Sequence, residues 1–365
     1  VDAERAMRQA LAQARRGAGR THPNPAVGAV VVRGDRVLGR GHSRPAGGPH
    51  AEVVALSAAI RRHGARAVRG SRMAVTLEPC AHTGRTGPCV DALLEAGIRG
   101  VWVGCRDPHP LVAGRGLRRL RRAGVDVRVG VLEQACRDHH RGFLSVCERG
   151  RPWVILKLAS SLDGRIATAS GESRWITGPA AREVVHRLRS RVDAVMVGSG
   201  TALADDPRLT ARRGSRIVHR PVRVLLDGRL RVPPDSALYS APDPDRTWVL
   251  HRPGARGAPA RREAGVRLLP VRGRGRHVDL GRAMELLAEQ GLTTVLVEGG
   301  GGLAAALLRG HLVDEIHWFT APLLLGADGR PALGPLAWAR LRDATRLAVD
   351  SPKRIGDDWH WQARL

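Results

Sequence analysis

Four side chains in this sequence have the types and spacing for metal-assisted proton chemistry. In "PHAEVVAL" (Pro49–Leu56), His50 and Glu52 stand two apart at the start of an apolar-periodic run. In "TLEPCAHTGRTGPCV" (Thr76–Val90), Cys80 and Cys89 are nine positions apart. Zinc binds neutral imidazole and thiolate, and a catalytic zinc keeps three protein ligands and one position for water. His50, Cys80 and Cys89 supply that set, and Cys89 opens a predicted helix whose amide dipole favours a thiolate. Glu52 falls in the same first turn as His50, where it is expected to reach the metal's water without being a ligand.

The order His-x-Glu, Pro-Cys, Cys is that of the zinc deaminases, in which the glutamate takes the water's proton and passes it to the leaving amine. Taken singly, a His-x-Glu at a helix start is commonly a cap, and two cysteines near a turn are commonly buried thiols. Their joint occurrence in order, with Glu78-Pro79 before the first cysteine, is far more specific. Eight residues separate the cysteines, where deaminases of nucleosides and nucleic acids typically carry two. The enlarged loop offers His82, Gly84, Arg85 and Thr86, groups suited to a phosphate or a base edge. Cys105, Cys136 and Cys147 have no partner motif and read as core fillers.

The elements that must position these groups follow from periodicity. "VDAERAMRQALAQARR" is an amphipathic helix, and "THPNPAVGAVVVRGDRVLGRGHS" a hairpin turning at Gly34-Asp35. "HAEVVALSAAIRRHG" is a helix with a glycine cap, "SRMAVTLEP" a strand and "PCVDALLEAGI" a helix. Strand, helix and strand follow in "RGVWVGCRDP", "GRGLRRLRRAGV" and "DVRVGV", then a helix from about Glu133. This alternation predicts a layered α/β unit. The Gly-Arg-Pro break in "CERGRPWV" marks a boundary, giving expected domains at 1–147 and 148–365. The second part repeats the alternation, with strands in "PWVILKLASSLDGRIA", "DAVMVGSGTAL", "PVRVLLDGRL", "RTWVLHR", "TTVLVEGG" and "DEIHWFTAPLLLG". Helices are expected near 179–191, 279–290 and 302–310, and Arg252–Arg276 reads as loop with one strand.

Composition excludes several classes. No apolar run reaches the roughly 18 residues of a membrane span, and the opening helix lacks the layout of a signal peptide, so a cytoplasmic protein with no membrane partner is expected. Five cysteines in 365 residues argue against a disulfide framework. The formal charge of +26 invites a nucleic-acid reading. Yet Lys157 and Lys353 are the only lysines, the arginines are spread along the whole chain, and two phenylalanines and one tyrosine leave few stacking platforms. The arginines are read as solvated faces, with no nucleic-acid partner.

These motifs, with "RDPHPLVAGRG" in the first half and "LKLASSLDGRIAT", "GESRWIT", "TALADDPRLT", "VEGGGGLAAALL" and "LVDEIHWFTAPLLLG" in the second, resemble the bifunctional deaminase–reductases of riboflavin biosynthesis. The resemblance covers nearly the whole chain. It implies a cytidine-deaminase-like three-layer α/β/α domain followed by a dihydrofolate-reductase-like α/β domain, with zinc in the first and NADPH in the second. It also implies a phosphorylated pyrimidine substrate and a homo-oligomer, a dimer or larger. Asn24 matches a substrate contact of the deaminase, although Asn24-Pro25 is equally a turn. Ala159, Trp175, Thr201, Asp205 and Gly228 match cofactor-side positions of the reductase. So do Gly300, Gly301, Gly302, Leu303, Ala304, Ala305 and Ala306, in a strand–glycine–helix junction that suits a pyrophosphate. Ser173, Arg189, Leu209, Arg212 and Glu298 match substrate-side positions, and the arginines suit a 5′-phosphate.

Three departures stand out. Gly87 replaces a common proline, Ala29 a common cysteine, and Gly228 a residue that often bears a hydroxyl, which removes one side-chain hydrogen bond to cofactor. Two other readings are weighed: a nucleic-acid deaminase, disfavoured by the long inter-cysteine loop and the second domain, and a paralogue diverted to a specialised metabolite.

Overall fold

The structure is a computed structural model and describes every residue except Val1, His22, Pro23, residues 82–86, Leu111 and Ala241. The chain divides into two compact units, Val1–Arg151 and Pro152–Leu365.

The first unit runs α1 (Ala3–Gly17), β1 (Gly28–Arg33), β2 (Arg36–His42), α2 (Ala51–His63), α3 (Ala65–Val68), β3 (Arg72–Leu77), α4 (Cys89–Glu95), β4 (Gly100–Cys105), α5 (Arg115–Arg122), β5 (Asp126–Val129) and α6 (Glu133–Arg149). Asp2 caps α1 by accepting the Arg5 N–H at 2.7 Å, and Ala6, Met7, Ala10, Leu11 and Ala14 bury one helical face. The sheet order is β2-β1-β3-β4-β5, antiparallel across β2-β1-β3 and parallel across β3-β4-β5. Helices α1 and α6 pack on one face and α2, α4 and α5 on the other, which makes three layers.

Two glycines set the depth of α2. A Cβ at Gly39 would lie 2.3 Å from the Ala55 carbonyl oxygen, and one at Gly41 would lie 2.4 Å from that of Ala51. Only glycine lets the helix backbone rest directly on β2. This contact seats the first turn of α2, which begins at His50.

The division lies later than expected. Helix α6 continues to Arg149, and the Gly150 N–H closes it on Val146 at 3.0 Å with φ 67°. A boundary at 147/148 would cut that helix; the left-handed glycine, not the cysteine, is where it stops.

The second unit runs β6 (Trp153–Ser161), β7 (Arg165–Ala167), α7 (Pro179–Arg189), β8 (Ala194–Gly198), α8 (Ser199–Asp205), β9 (Ala211–Arg213), β10 (Arg216–His219), β11 (Val222–Leu226), β12 (Thr247–His251), α9 (Ala258–Glu263), β13 (Arg267–Pro270), α10 (Leu280–Glu289), β14 (Thr294–Val297), α11 (Gly301–Arg309), β15 (Glu315–Ala321), β16 (Arg330–Pro331), β17 (Ala348–Val349), β18 (Lys353–Ile355) and β19 (Asp358–Arg364). Strands β13-β12-β11-β8-β14-β6-β15 are parallel in that order, and β19 adds antiparallel to β15. Alternate residues fill opposite faces: Val154, Leu156, Met196 and Val295 on one, Ile155, Val195, Val197 and Leu296 on the other. Both units are therefore α/β. Helix α9 falls inside the stretch expected to hold only loop and one strand. Pro259 in its first turn and Gly265 after it are helix punctuation, masked there by a Gly/Pro/Arg-rich composition.

Candidate active sites

In the first unit, the ends of α2, β3 and α4 converge. His50 is the N-cap residue of α2, Cys80 follows β3, and Cys89 is the first residue of α4. His50 Nδ1 lies 3.1 Å from Cys89 Sγ and 3.5 Å from Cys80 Sγ, and the three donor atoms all fall within 4.8 Å of one another. A tetrahedral zinc with bonds of about 2.0 Å to nitrogen and 2.3 Å to sulfur holds its ligand atoms roughly 3.5 to 3.8 Å apart. The donor set and its spacing fit zinc. Hydrogen bonds from the Cys89 thiol and from His50 hold Cys80 far below the usual thiol range, against the opposing effect of burial. Cys89 is pushed up, first by its bond to Cys80 and then by burial. The Cys89 backbone N–H adds a donor to Cys80 Sγ at 3.4 Å. Glu52 is only 3% exposed, and burial pushes its carboxyl up to about 7. A buried carboxylate beside this donor set can accept and return a proton near neutral pH.

The surrounding braces were not evident from sequence. Glu78, in the run leading to Cys80, accepts the N–H groups of Gly114 at 3.2 Å and of Asp107 and Leu117 at 3.5 Å. It thereby ties the "RDPHPLVAGRG" segment to the end of β3. The signal was a lone acid at the end of an apolar strand. His139 of α6 places Nε2 2.8 Å from the Ala26 carbonyl, and the Thr21 hydroxyl donates to the Asn24 carbonyl at 2.9 Å. Asn24 thus sits in a braced turn, half-buried. His82, Gly84, Arg85 and Thr86 lie outside the described residues.

In the second unit, the carboxyl ends of β6, β8, β11 and β14 open onto a cavity of 1480 Å³. Ala159, Trp175, Thr201, Asp205, Gly228, Gly300, Gly301, Gly302, Leu303 and Ala306 line it, as do Ser173, Arg189, Leu209, Arg212 and Glu298. Ala304 and Ala305 do not: they are 0% and 1% exposed, because the helical period turns them away from the face carrying Gly302, Leu303 and Ala306. The Thr201 hydroxyl accepts the Gly300 N–H at 3.0 Å, which joins the start of α8 to the glycine run before α11. Trp175 is 69% exposed at the rim, with the Arg182 guanidinium 4.5 Å from its ring centre.

Arg189 departs from its expected role as a phosphate grip. Its Nε and Nη2 donate to the two carboxylate oxygens of Glu298 at 2.6 and 2.8 Å, and its Nη1 donates to the Thr210 carbonyl at 3.0 Å. The parallel pair that a phosphate would need is taken, so Arg189 positions Glu298. Among the described residues the Arg212 side chain donates through Nε, to the Thr210 hydroxyl at 3.1 Å, and its backbone N–H donates to His186 Nδ1 at 3.4 Å. Lys157 also lines the cavity and was missed. Burial lowers its pKa, while the charges of Glu298 and Asp205 oppose that shift. Its signal was chemical rarity, as one of two lysines among sixty basic residues.

A His-Cys-Cys pocket with a buried glutamate, joined in one chain to a cavity at the carboxyl ends of a parallel sheet with a glycine-rich helix start, defines a zinc-dependent deaminase fused to a nicotinamide-dependent reductase. Residues 1–105 match the cytidine and deoxycytidylate deaminase zinc-binding region, and residues 152–361 match the RibD C-terminal domain. The chain is 41% identical over 365 residues to the riboflavin biosynthesis protein RibD of Escherichia coli strain K12, covering 96% of each. It is 38% identical over 352 residues to that of Aquifex aeolicus, covering 96% of this chain and 95% of the relative. Acinetobacter baumannii RibD superposes with a TM-score of 0.88 at 37% identity, over 99% of this chain and 98% of that one. The diaminohydroxyphosphoribosylaminopyrimidine deaminase/5-amino-6-(5-phosphoribosylamino)uracil reductase of Thermotoga maritima does so with a TM-score of 0.86 at 32% identity, over 99% and 98%. The chain belongs to the RibD family of bifunctional riboflavin-biosynthesis deaminase–reductases. Its cofactors are zinc in the deaminase unit and NADPH in the reductase unit. Among the described residues no helix is long and apolar enough to cross a membrane.

Proposed function

We propose that the first unit hydrolyses the 2-amino group of 2,5-diamino-6-(5-phosphoribosylamino)pyrimidin-4(3H)-one, and that the second reduces the ribosyl chain of the product to ribityl. His50, Cys80 and Cys89 hold the zinc, which supplies an activated water near neutral pH. Glu52 accepts that water's proton and delivers it to the departing amine. Asn24, in its braced turn, orients the pyrimidine.

In the second unit, NADPH supplies the hydride. Gly300–Gly302 and the start of α11 receive its pyrophosphate, with Thr201 holding the glycine run in place. Glu298, fixed by Arg189, fastens the opened sugar. Lys157 holds the proton that must accompany hydride addition at C1′. Arg212 and Ser173 meet the 5′-phosphate end. The observation that carries this reading is the presence of both complete sets of groups along one chain.

The test is incubation with the diaminopyrimidinone phosphate, with and without NADPH, followed by mass. Deamination adds about 1 Da, and reduction about 2 Da more, only with NADPH. An unchanged substrate mass in the presence of zinc and NADPH would reject the substrate. Tight tRNA binding without NADPH binding would favour a nucleic-acid deaminase instead.

A further inference from the structure

The turn that carries Asn24 is tied to a helix on the face of the sheet opposite the zinc-bearing helices. Strand β1 begins at Gly28, so Asn24, Pro25, Ala26 and Val27 lie before its ladder. Both backbone polar groups of Asn24 go to Thr21. The Asn24 N–H donates to the Thr21 carbonyl at 2.9 Å, and the Thr21 hydroxyl donates to the Asn24 carbonyl at 2.9 Å. Pro25 has no N–H, locks its own φ and narrows the backbone freedom of Asn24. These constraints are internal: they give the turn a shape but do not fasten it to the sheet.

The fastening comes from side chains of other elements. The hydroxyl of Ser43, just after β2, accepts the Val27 N–H at 3.0 Å, and that of Thr76 in β3 accepts the Gly28 N–H at 3.1 Å. His139 of α6 places Nε2 2.8 Å from the Ala26 carbonyl. A carbonyl only accepts, so this nitrogen carries the hydrogen. Burial lowers the His139 pKa against the opposing effect of this bond, which leaves the ring a neutral donor at neutral pH. Among the described residues, it is the tie from outside the turn that lies nearest to Asn24 in the chain.

The next residue of α6 holds the same seam. His140 is 3% exposed, and its Nε2 lies 3.0 Å from the Thr76 hydroxyl. The His139 and His140 rings meet edge to face, with centroids 4.8 Å apart and planes at 80°. Consecutive side chains of α6 thus grip the chain at Ala26 directly and at Gly28 through Thr76. Both points lie at the end of the sheet where β2 leads to His50 and β3 leads to Cys80.

We propose that His139 is a positioning residue of the deaminase: by holding the Ala26 carbonyl, its Nε2–H sets the placement of Asn24 against the pyrimidine and so the affinity of the first unit for its substrate. Asn24 and Ala26 are separated by Pro25 alone, whose ring removes one of the rotations that would let them move independently. Fixing the Ala26 carbonyl therefore fixes Asn24, and releasing it lets the turn swing on its internal bonds. His139 acts through the turn and not on the reacting atoms. Glu52 and the zinc donors stand on other elements, so the effect falls on substrate binding and not on turnover. The inference rests on the reading of Asn24 as a substrate contact.

The test is deamination kinetics of the full-length zinc-loaded enzyme with the diaminopyrimidinone phosphate. His139→Leu and His139→Met, which lack the donor, are each expected to raise KM about fivefold, the size of one neutral hydrogen bond. Their kcat should change less than about twofold, with zinc content unaltered. His139→Gln, whose amide nitrogen falls near the place of Nε2 and donates without titrating, should keep KM within about twofold of wild type. Asn24→Ala should raise KM at least as much as His139→Leu, and the double variant should be no worse than Asn24→Ala alone. An unchanged KM without the donor, a His139→Gln as impaired as His139→Leu, or losses that multiply in the double variant overturn the proposal. Lost zinc or lost kcat with KM unmoved also overturns it and makes His139 a support of the metal centre. A normal KM in Asn24→Ala removes the reading of Asn24 itself, and this inference with it.

Discussion

Glu52 is a buried carboxylate and Glu298 a half-buried one, and their surroundings drive them in opposite directions. Burial dominates at Glu52 and raises its pKa, which suits a group that must gain and lose a proton. Glu52→Gln keeps the shape and removes the proton carrier. Zinc content should be unchanged while deamination falls about 10²- to 10⁴-fold; normal turnover by this variant would rule the role out. At Glu298, burial opposes ionisation, but the charge and hydrogen bonds of Arg189, with Lys157, outweigh it and hold the carboxyl below its usual range. Its ionised form contributes stability that is complete above the ordinary value of 4.5 and is lost as pH falls through the lower folded value. Glu298→Gln strands the Arg189 charge and should cost roughly 3 kcal/mol at neutral pH. In thermal melts, that deficit should shrink as pH drops below 4.5; a deficit independent of pH would exclude the ion pair as its source.

Single elements transmit packing to chemistry. The close approach of α2 to β2 at Gly39 and Gly41 sets where His50 and Glu52 sit, although neither glycine touches the donor set. Gly39→Ala would press a methyl into the Ala55 carbonyl and lift the helix. The expected cost is about 1–3 kcal/mol, together with weaker zinc binding in competition with a chromogenic chelator. Lost stability with unaltered zinc affinity would show that this contact does not position the first turn. Elements also differ in how openly they announce themselves. The β1–β2 hairpin, with a run of three valines and a Gly34-Asp35 turn, is plain in the sequence. Helix α9 is not, because its six residues hold one proline and three charged groups and present too short a period to detect.

At the scale of the molecule there are two units, each with its own apolar core, the first around β1, β3 and β4 and the second around the long parallel sheet. Zinc bound only to the folded first unit should stabilise that unit alone, by about 3–4 kcal/mol when the metal exceeds its Kd by two to three orders of magnitude. Chelation is therefore expected to lower one of two calorimetric transitions, abolish deamination and leave NADPH binding intact. A shift of both transitions would mean that the units do not unfold separately. The formal charge of +26 is a molecule-wide property that says little about partners. Its arginines divide between ion pairs such as Arg72–Asp126, packing against Trp102 and Trp248, and the cavity wall.

The sequence by itself determined the α/β character, the zinc donor types and the likeness to a deaminase–reductase. Ligand chemistry and helix or strand period are local properties, readable over a few residues at His50, Glu52, Cys80 and Cys89. Tertiary structure alone decided which distant groups meet. Arg189 and Glu298 are 109 positions apart, Glu78 and Gly114 are 36 apart, and no local pattern pairs them. Strand order brings them together, and strand order comes from long-range pairing of apolar segments that look alike in sequence. The same limit explains why Ala304 and Ala305 were grouped with the cavity until the helix gave them a direction, and why Lys157 was passed over until burial placed it beside two carboxylates.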